Sequence, residues 1–262
     1  MNIRFTLCFL LVVPISVLAQ PQWTWTLSAG AQTQSVQDLG HSALIYEGHS
    51  MALSGGIMAS GLHYQAGLLV DYSQGALSPA IDDPARFVLG SAQRTFATTQ
   101  AYFQYLHPIT DDFQVRYGGA ISSMLDYMVY NHPGNNPVGY ELTFSLAPMA
   151  GISYEITEKL GFSAQVSIPV VSMGLRTPWQ GFFPTQDLEL SVDEILATHA
   201  TGGPGQIFFL DTRAQLSYQV PKSPTLALTY RYRGHSNHTY EQRGSILHAL
   251  SFTTTLSRHT SS

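Results

Sequence analysis

Apolar and polar side chains alternate one for one in segment after segment of this chain. After the turn residues Thr110, Asp111 and Asp112, one face takes Phe113, Val115, Tyr117, Gly119 and Ile121. The other takes Gln114, Arg116, Gly118, Ala120 and Ser122. The pattern repeats beyond Glu158 and Lys159, where Leu160, Phe162, Ala164, Val166 and Ile168 oppose Gly161, Ser163, Gln165 and Ser167. Later, Leu210, Ala214, Leu216, Tyr218 and Val220 oppose Asp211, Arg213, Gln215, Ser217 and Gln219. Leu226, Leu228, Tyr230 and Tyr232 likewise oppose Ala227, Thr229, Arg231 and Arg233. A period of two is the strand period. It predicts ten strands, at 22–33, 48–58, 62–74, 94–107, 112–128, 139–155, 159–174, 206–220, 225–235 and 243–257.

The predicted connections alternate in length. Short ones fall at 59–61, 108–111, 157–158 and 221–224, and longer ones at 34–47, 75–93, 129–138, 175–205 and 236–242. A soluble sandwich also alternates, but its polar face meets water and carries many lysines and glutamates. Here that face holds Gly, Ser, Thr and Gln with a few charges, as a closed interior would. The apolar face holds Tyr, Phe and Leu, as lipid contact demands. An open sheet edge in lipid would leave backbone groups without partners, so the sheet must close. Trp23, Trp25, Tyr105, Tyr154 and Tyr218 fall near strand ends, where an interfacial aromatic girdle belongs. The fold class expected is all-β, a closed antiparallel transmembrane β-barrel of about ten strands.

Residues 1–19 have the form of a secretory signal peptide, with Arg4 ahead of an apolar stretch and Val17-Leu18-Ala19 before the cut. Pro14 interrupts that stretch, which is too short to span a bilayer. The only cysteine, Cys8, would leave with the leader, so the mature chain would carry no disulfide. Residues 20–262 would form a single barrel domain. With its leader, alternating strands, unequal connections and aromatic ends, the chain resembles a small outer-membrane β-barrel protein of Gram-negative bacteria. The resemblance implies a bacterial outer-membrane location and outer-membrane lipid as its surroundings. One departure concerns the last strand, where such barrels often end on an aromatic residue. Here Phe252 and Leu256 are followed by residues 257–262, with no aromatic among them.

Composition narrows the function. Only 11% of residues are charged, against roughly 25% in soluble domains, and the net charge is −5. Neither disorder nor a nucleic-acid partner fits those values. No metal-ligand spacing, phosphate-binding glycine loop or nucleotide fingerprint occurs, so no cofactor and no metal are expected. The strand parity turns Asp71, Arg116, Glu141, Asp211, Arg213, Arg231 and Arg233 inward. They read as a network that pairs across strands and fills the lumen, because an unpaired charge there would be costly. The alternative is a charge-lined path, or an anion site built on the four arginines. Tyr102, Leu69 and Met149 are expected to occupy volume beside them.

Two further constellations carry candidate chemistry. His235, Ser236, Asn237 and His238 lie where the ninth strand meets its outer loop, with Glu241 beyond. The run is similar to the His-x-Ser-Asn of outer-membrane lipid hydrolases of the lipid A 3-O-deacylase type. It lacks the intervening residue, so a regular strand puts His235 and Ser236 on opposite faces. Asp82 and Asp83 in the second outer loop could meet His235 or His238 across the mouth. Omptin-type proteases resemble that in strand count and in using outer-rim Asp and His. Ordinary turn chemistry also explains Asp-Asp-Pro, and the Gly- and Pro-rich run 131–137. In the long loop, Ser191 and Glu194 make a capping box ahead of Ile195 and Leu196, predicting a short helix at the mouth. The function expected is a non-enzymatic barrel with a structural or binding role, either a narrow conduit or the membrane partner of a larger envelope assembly. The alternative is a hydrolase acting on lipid or peptide at the extracellular rim.

Overall fold

A computed structural model describes residues 22–38, 42–80, 90–131, 138–176, 199–203, 205–220, 224–238 and 243–258. The leader 1–19, Asp82, Asp83, Glu241 and the capping box at 191–196 lie outside the described residues.

The strands are β1 (Gln22–Asp38), β2 (Ser42–Ser60), β3 (Tyr64–Pro79), β4 (Ala92–Pro108), β5 (Phe113–Tyr130) and β6 (Val138–Glu155). They continue with β7 (Leu160–Ser167), β8 (Val171–Arg176), β9 (His199–Gly202), β10 (Ile207–Gln219), β11 (Thr225–Asn237) and β12 (Arg243–Arg258). Each neighbouring pair is antiparallel, and β1 pairs with β12 to shut the wall. β7 and β8 are two halves of one wall strand, both paired to β6, which gives a closed barrel of ten strands with β9 added to the edge of β8.

The alternation that builds the strands also sorts their side chains. Trp25, Leu27, Leu53, Val70, Ile121, Leu146, Leu228 and Phe252 are exposed on the outer face, a band suited to acyl chains. Trp23, Tyr105, Tyr117, Tyr154 and Tyr218 ring the end that carries the short turns. The Tyr105 and Tyr117 rings lie 5.8 Å apart there, on neighbouring strands.

Two expectations change. The connection expected at 34–47 is mostly strand, because β1 runs to Asp38 and β2 starts at Ser42. The outer face turns polar there at Ser35, Gln37 and Glu47 while Val36 and Tyr46 point inward, so the outward apolar signal is lost while the hydrogen-bond ladder continues. The strand expected at 159–174 is broken. Met149 faces Ser167 and Leu146 faces Val171, so two residues of β6 oppose the three at 168–170. That is a one-residue bulge, and it falls where Pro148 and Pro169 each lack the N–H the ladder needs. Parity flips across it: Ser163, Gln165 and Ser167 share a face with Ser172 and Gly174.

Candidate functional site

The inward faces converge on a lumen filled in layers. Nearest the longer connections is a buried charged layer. Arg94 lies flat against Asp126, donating from Nε to Oδ1 at 2.8 Å and from Nη2 to Oδ2 at 2.7 Å, and from Nη1 to Gln34 at 3.1 Å. Arg243 crosses from the opposite wall, with Nη2 at 2.9 Å from Asp126, Nη1 at 3.3 Å from Asp38 and Nε at 3.7 Å from Glu141. Asp126 and Glu141 are register partners on β5 and β6, so Arg243 separates two facing carboxylates. Glu141 also accepts from Asn237 at 2.8 Å and Thr143 at 3.3 Å, and His235 Nε2 lies 3.1 Å from it. Arg94, Arg243, Asp126 and Glu141 are all essentially inaccessible to solvent. Beside them Val36, Tyr46, Leu77, Ala92, Met128 and Tyr130 pack into an apolar cluster.

The second charged layer lies toward the short turns. Arg231 donates to Asp211 from Nε at 2.7 Å and from Nη2, and reaches Asp71 with Nη1 at 2.6 Å. Arg233 donates from Nη2 to Asp71 at 2.7 Å and to Thr98 at 3.0 Å, and Thr98 in turn donates to Asp71 at 3.0 Å. Asp71 is on β3 and both arginines are on β11, so the pairs strap opposite parts of the wall together across the lumen. Such pairs hold only because each charge meets several partners; desolvation would otherwise exceed the attraction.

Between the layers sits Phe96, in contact with Met124, Phe209 and Leu247. The Arg94 guanidinium lies 5.1 Å from its ring centroid and that of Arg233 5.5 Å. Both are within cation–π range. No local pattern in the sequence marks this septum or most of the charged layer nearest the longer connections. Strand parity does put Arg94, Phe96 and Asp126 on the faces of Tyr102 and Arg116. Asp38 and Arg243 fall where polar strand ends read as loop.

The seven predicted network residues separate into three places. Asp71, Asp211, Arg231 and Arg233 come together. Glu141 does not join them: it sits ten residues along β6 from Gly151, the register partner of Arg116. At ~3.3 Å per residue that is roughly 30 Å away. Its partners belong to the upper layer. Arg116 pairs with no carboxylate among the described residues, and donates instead to the Ile152 carbonyl at 3.0 Å. Arg213 lines the cavity below the second layer. Among the described residues the hydrolase constellation is not assembled. His235 points inward against Glu141, whereas its neighbour Ser236 faces outward. His238 is exposed at the rim, where its N–H donates to the Gln206 carbonyl at 2.8 Å.

No protein-family model matches the chain, and no curated protein matches it. Among solved structures, the outer membrane protease OmpT from Escherichia coli is similar, with a TM-score of 0.56. The match covers 90% of this chain and 97% of that one at 7% identity. The fold is that of an outer-membrane β-barrel. The translocator domain of autotransporter NalP from Neisseria meningitidis follows with a TM-score of 0.44, at 8% identity over 89% of this chain and 88% of that one. At such identity the likeness to OmpT extends to fold alone. The lumen of this barrel is packed shut in the half bearing the longer connections.

Proposed function

We propose that this chain resides in a bacterial outer membrane as a sealed barrel with a structural or binding role, the membrane partner of an envelope assembly rather than a through-pore. The observation that carries the reading is Phe96, held between Arg94 and Arg233 with an ion-paired layer on either side. A barrel of about ten strands has little bore to spare, and these side chains fill it. The outer-membrane fold of its structural neighbour supports the location. Strand length supports a body standing above the bilayer. β1 to β6 run 16–19 residues, and crossing takes about 9–11. Their far ends turn polar outward at Thr33, Ser35 and Gln37 on β1, and at Glu47 and His49 on β2.

Copurification from cells in mild detergent tests the role, and fractionation tests the place. A stoichiometric envelope protein retained with the barrel in the outer-membrane fraction is the expected result. A barrel that purifies alone and cleaves lipid or peptide would overturn the reading.

A further inference from the structure

The half of the lumen nearer the short turns is not filled. A cavity of about 230 Å³ lies below the Asp71–Arg231 layer. Its lining includes Arg116, Arg213, Tyr102, Gln100, Gln165 and Gln215, and no carboxylate. Arg116, Gly151, Gln165 and Arg213 are successive register partners across β5, β6, β7 and β10, so they form one row on the inner wall. Gly151 contributes no side chain, which leaves room between the flanking donors. Even a Cβ there would come within 2.7 Å of the Ala164 carbonyl oxygen.

Neither arginine makes an ion pair among the described residues, although Arg213 lies within the field of Asp71 and Asp211. Asp71 and Asp211 are engaged by Arg231 and Arg233. Arg116 has one backbone carbonyl as acceptor, and its Nε is buried without a partner. Two half-buried guanidiniums in a cavity without a carboxylate in its lining favour an anion beside them. Amides from Gln100, Gln165 and Gln215, and the Tyr102 hydroxyl, supply neutral donors around them. A planar fork of N–H groups matches the oxygens of a carboxylate or phosphate.

We propose that this cavity is a binding site for a small oxyanion, a carboxylate or phosphate group held between Arg116 and Arg213. The site is blind, because the Asp71 layer and Phe96 close it on the other side. The proposal rests on reading the barrel as sealed with a binding role, but it is tested apart from that reading. The purified full-length barrel is titrated calorimetrically with succinate and, separately, with inorganic phosphate, at constant ionic strength set by chloride. Saturable one-to-one binding of at least one is expected, and the two arms distinguish the anion class. Arg213→Gln and Arg116→Gln should each weaken it by roughly tenfold to a hundredfold, with Arg213→Lys in between. Heat-dependent gel mobility confirms that each variant is folded. If Arg213→Gln does not fold, Arg116→Gln carries the test, since its hydrogen-bond partner among the described residues is only a backbone carbonyl. Absence of saturable binding, binding that survives both substitutions, or equal competition by chloride would overturn the site. None of those results alters conductance, so a failed anion site and a failed seal are told apart.

Discussion

Phe96 is the residue on which the closed lumen turns. It is 1% exposed, and its two faces take the guanidiniums of Arg94 and Arg233. Phe96→Ala is expected to cost about 3–5 kcal/mol by leaving a cavity, with each lost cation–π contact included in that figure. Urea unfolding in detergent, followed by tryptophan fluorescence, measures it. Asp126→Ala removes the carboxylate shared by Arg94 and Arg243, and should cost about 3–5 kcal/mol because fully buried Arg94 loses its ion pair, while Arg243 keeps Asp38 and Glu141. Asp211→Ala should cost less, since that site is slightly more accessible and Arg231 and Arg233 keep Asp71. If Asp211→Ala proves the more damaging of the two, the ranking of the layers is wrong. The sequence disclosed which residues point inward, because a period of two carries that information. It did not disclose partners. Glu141 and Arg213 lie on one face in the pattern, and only register and strand height separate them.

At the scale of elements, hydrophobic alternation located the ten wall strands and their short turns. It lost the strand ends that rise past the apolar band, where Thr33, Ser35 and Gln37 alternate with Gln34, Val36 and Asp38 and little apolar contrast remains. It also lost β9, whose four residues are too few to show a period. The bulge at 168–170 was hidden because each half of the strand alternates correctly by itself. Its function is to change parity, so that Gly174 faces inward and accommodates Ile207; a Cβ at Gly174 would lie 3.3 Å from Ile207 Cδ1. Deleting Ile168 removes the extra residue, so two residues then oppose two of β6 and plain alternation from Ser167 keeps Ser172 and Gly174 inward. The expected outcome is retention of the heat-modifiable, folded band on a gel. Loss of that band would show that β8 needs the bulge itself and not only the phase it sets.

For the molecule as a whole, the layers make a plug from the wall's own side chains, with no need of a separate domain. From the end bearing the longer connections, an apolar cluster and a charged layer give way to Phe96, then to a second charged layer, then to a cavity lined by Arg116 and Arg213. Fold class was legible in the sequence because lipid outside and closure inside both leave compositional marks. The plug was not, because packing across a lumen joins residues as far apart as Asp71 and Arg231, which no local pattern connects. The central claim is that this lumen is sealed, and planar-bilayer recording of the purified barrel tests it most directly. The account predicts no steady single-channel steps from the wild type, and steps appearing when Phe96→Ala is combined with Arg94→Ala, provided that variant folds. Steady, anion-selective steps from the wild type would contradict it, and would make the arginines a pathway rather than a seal.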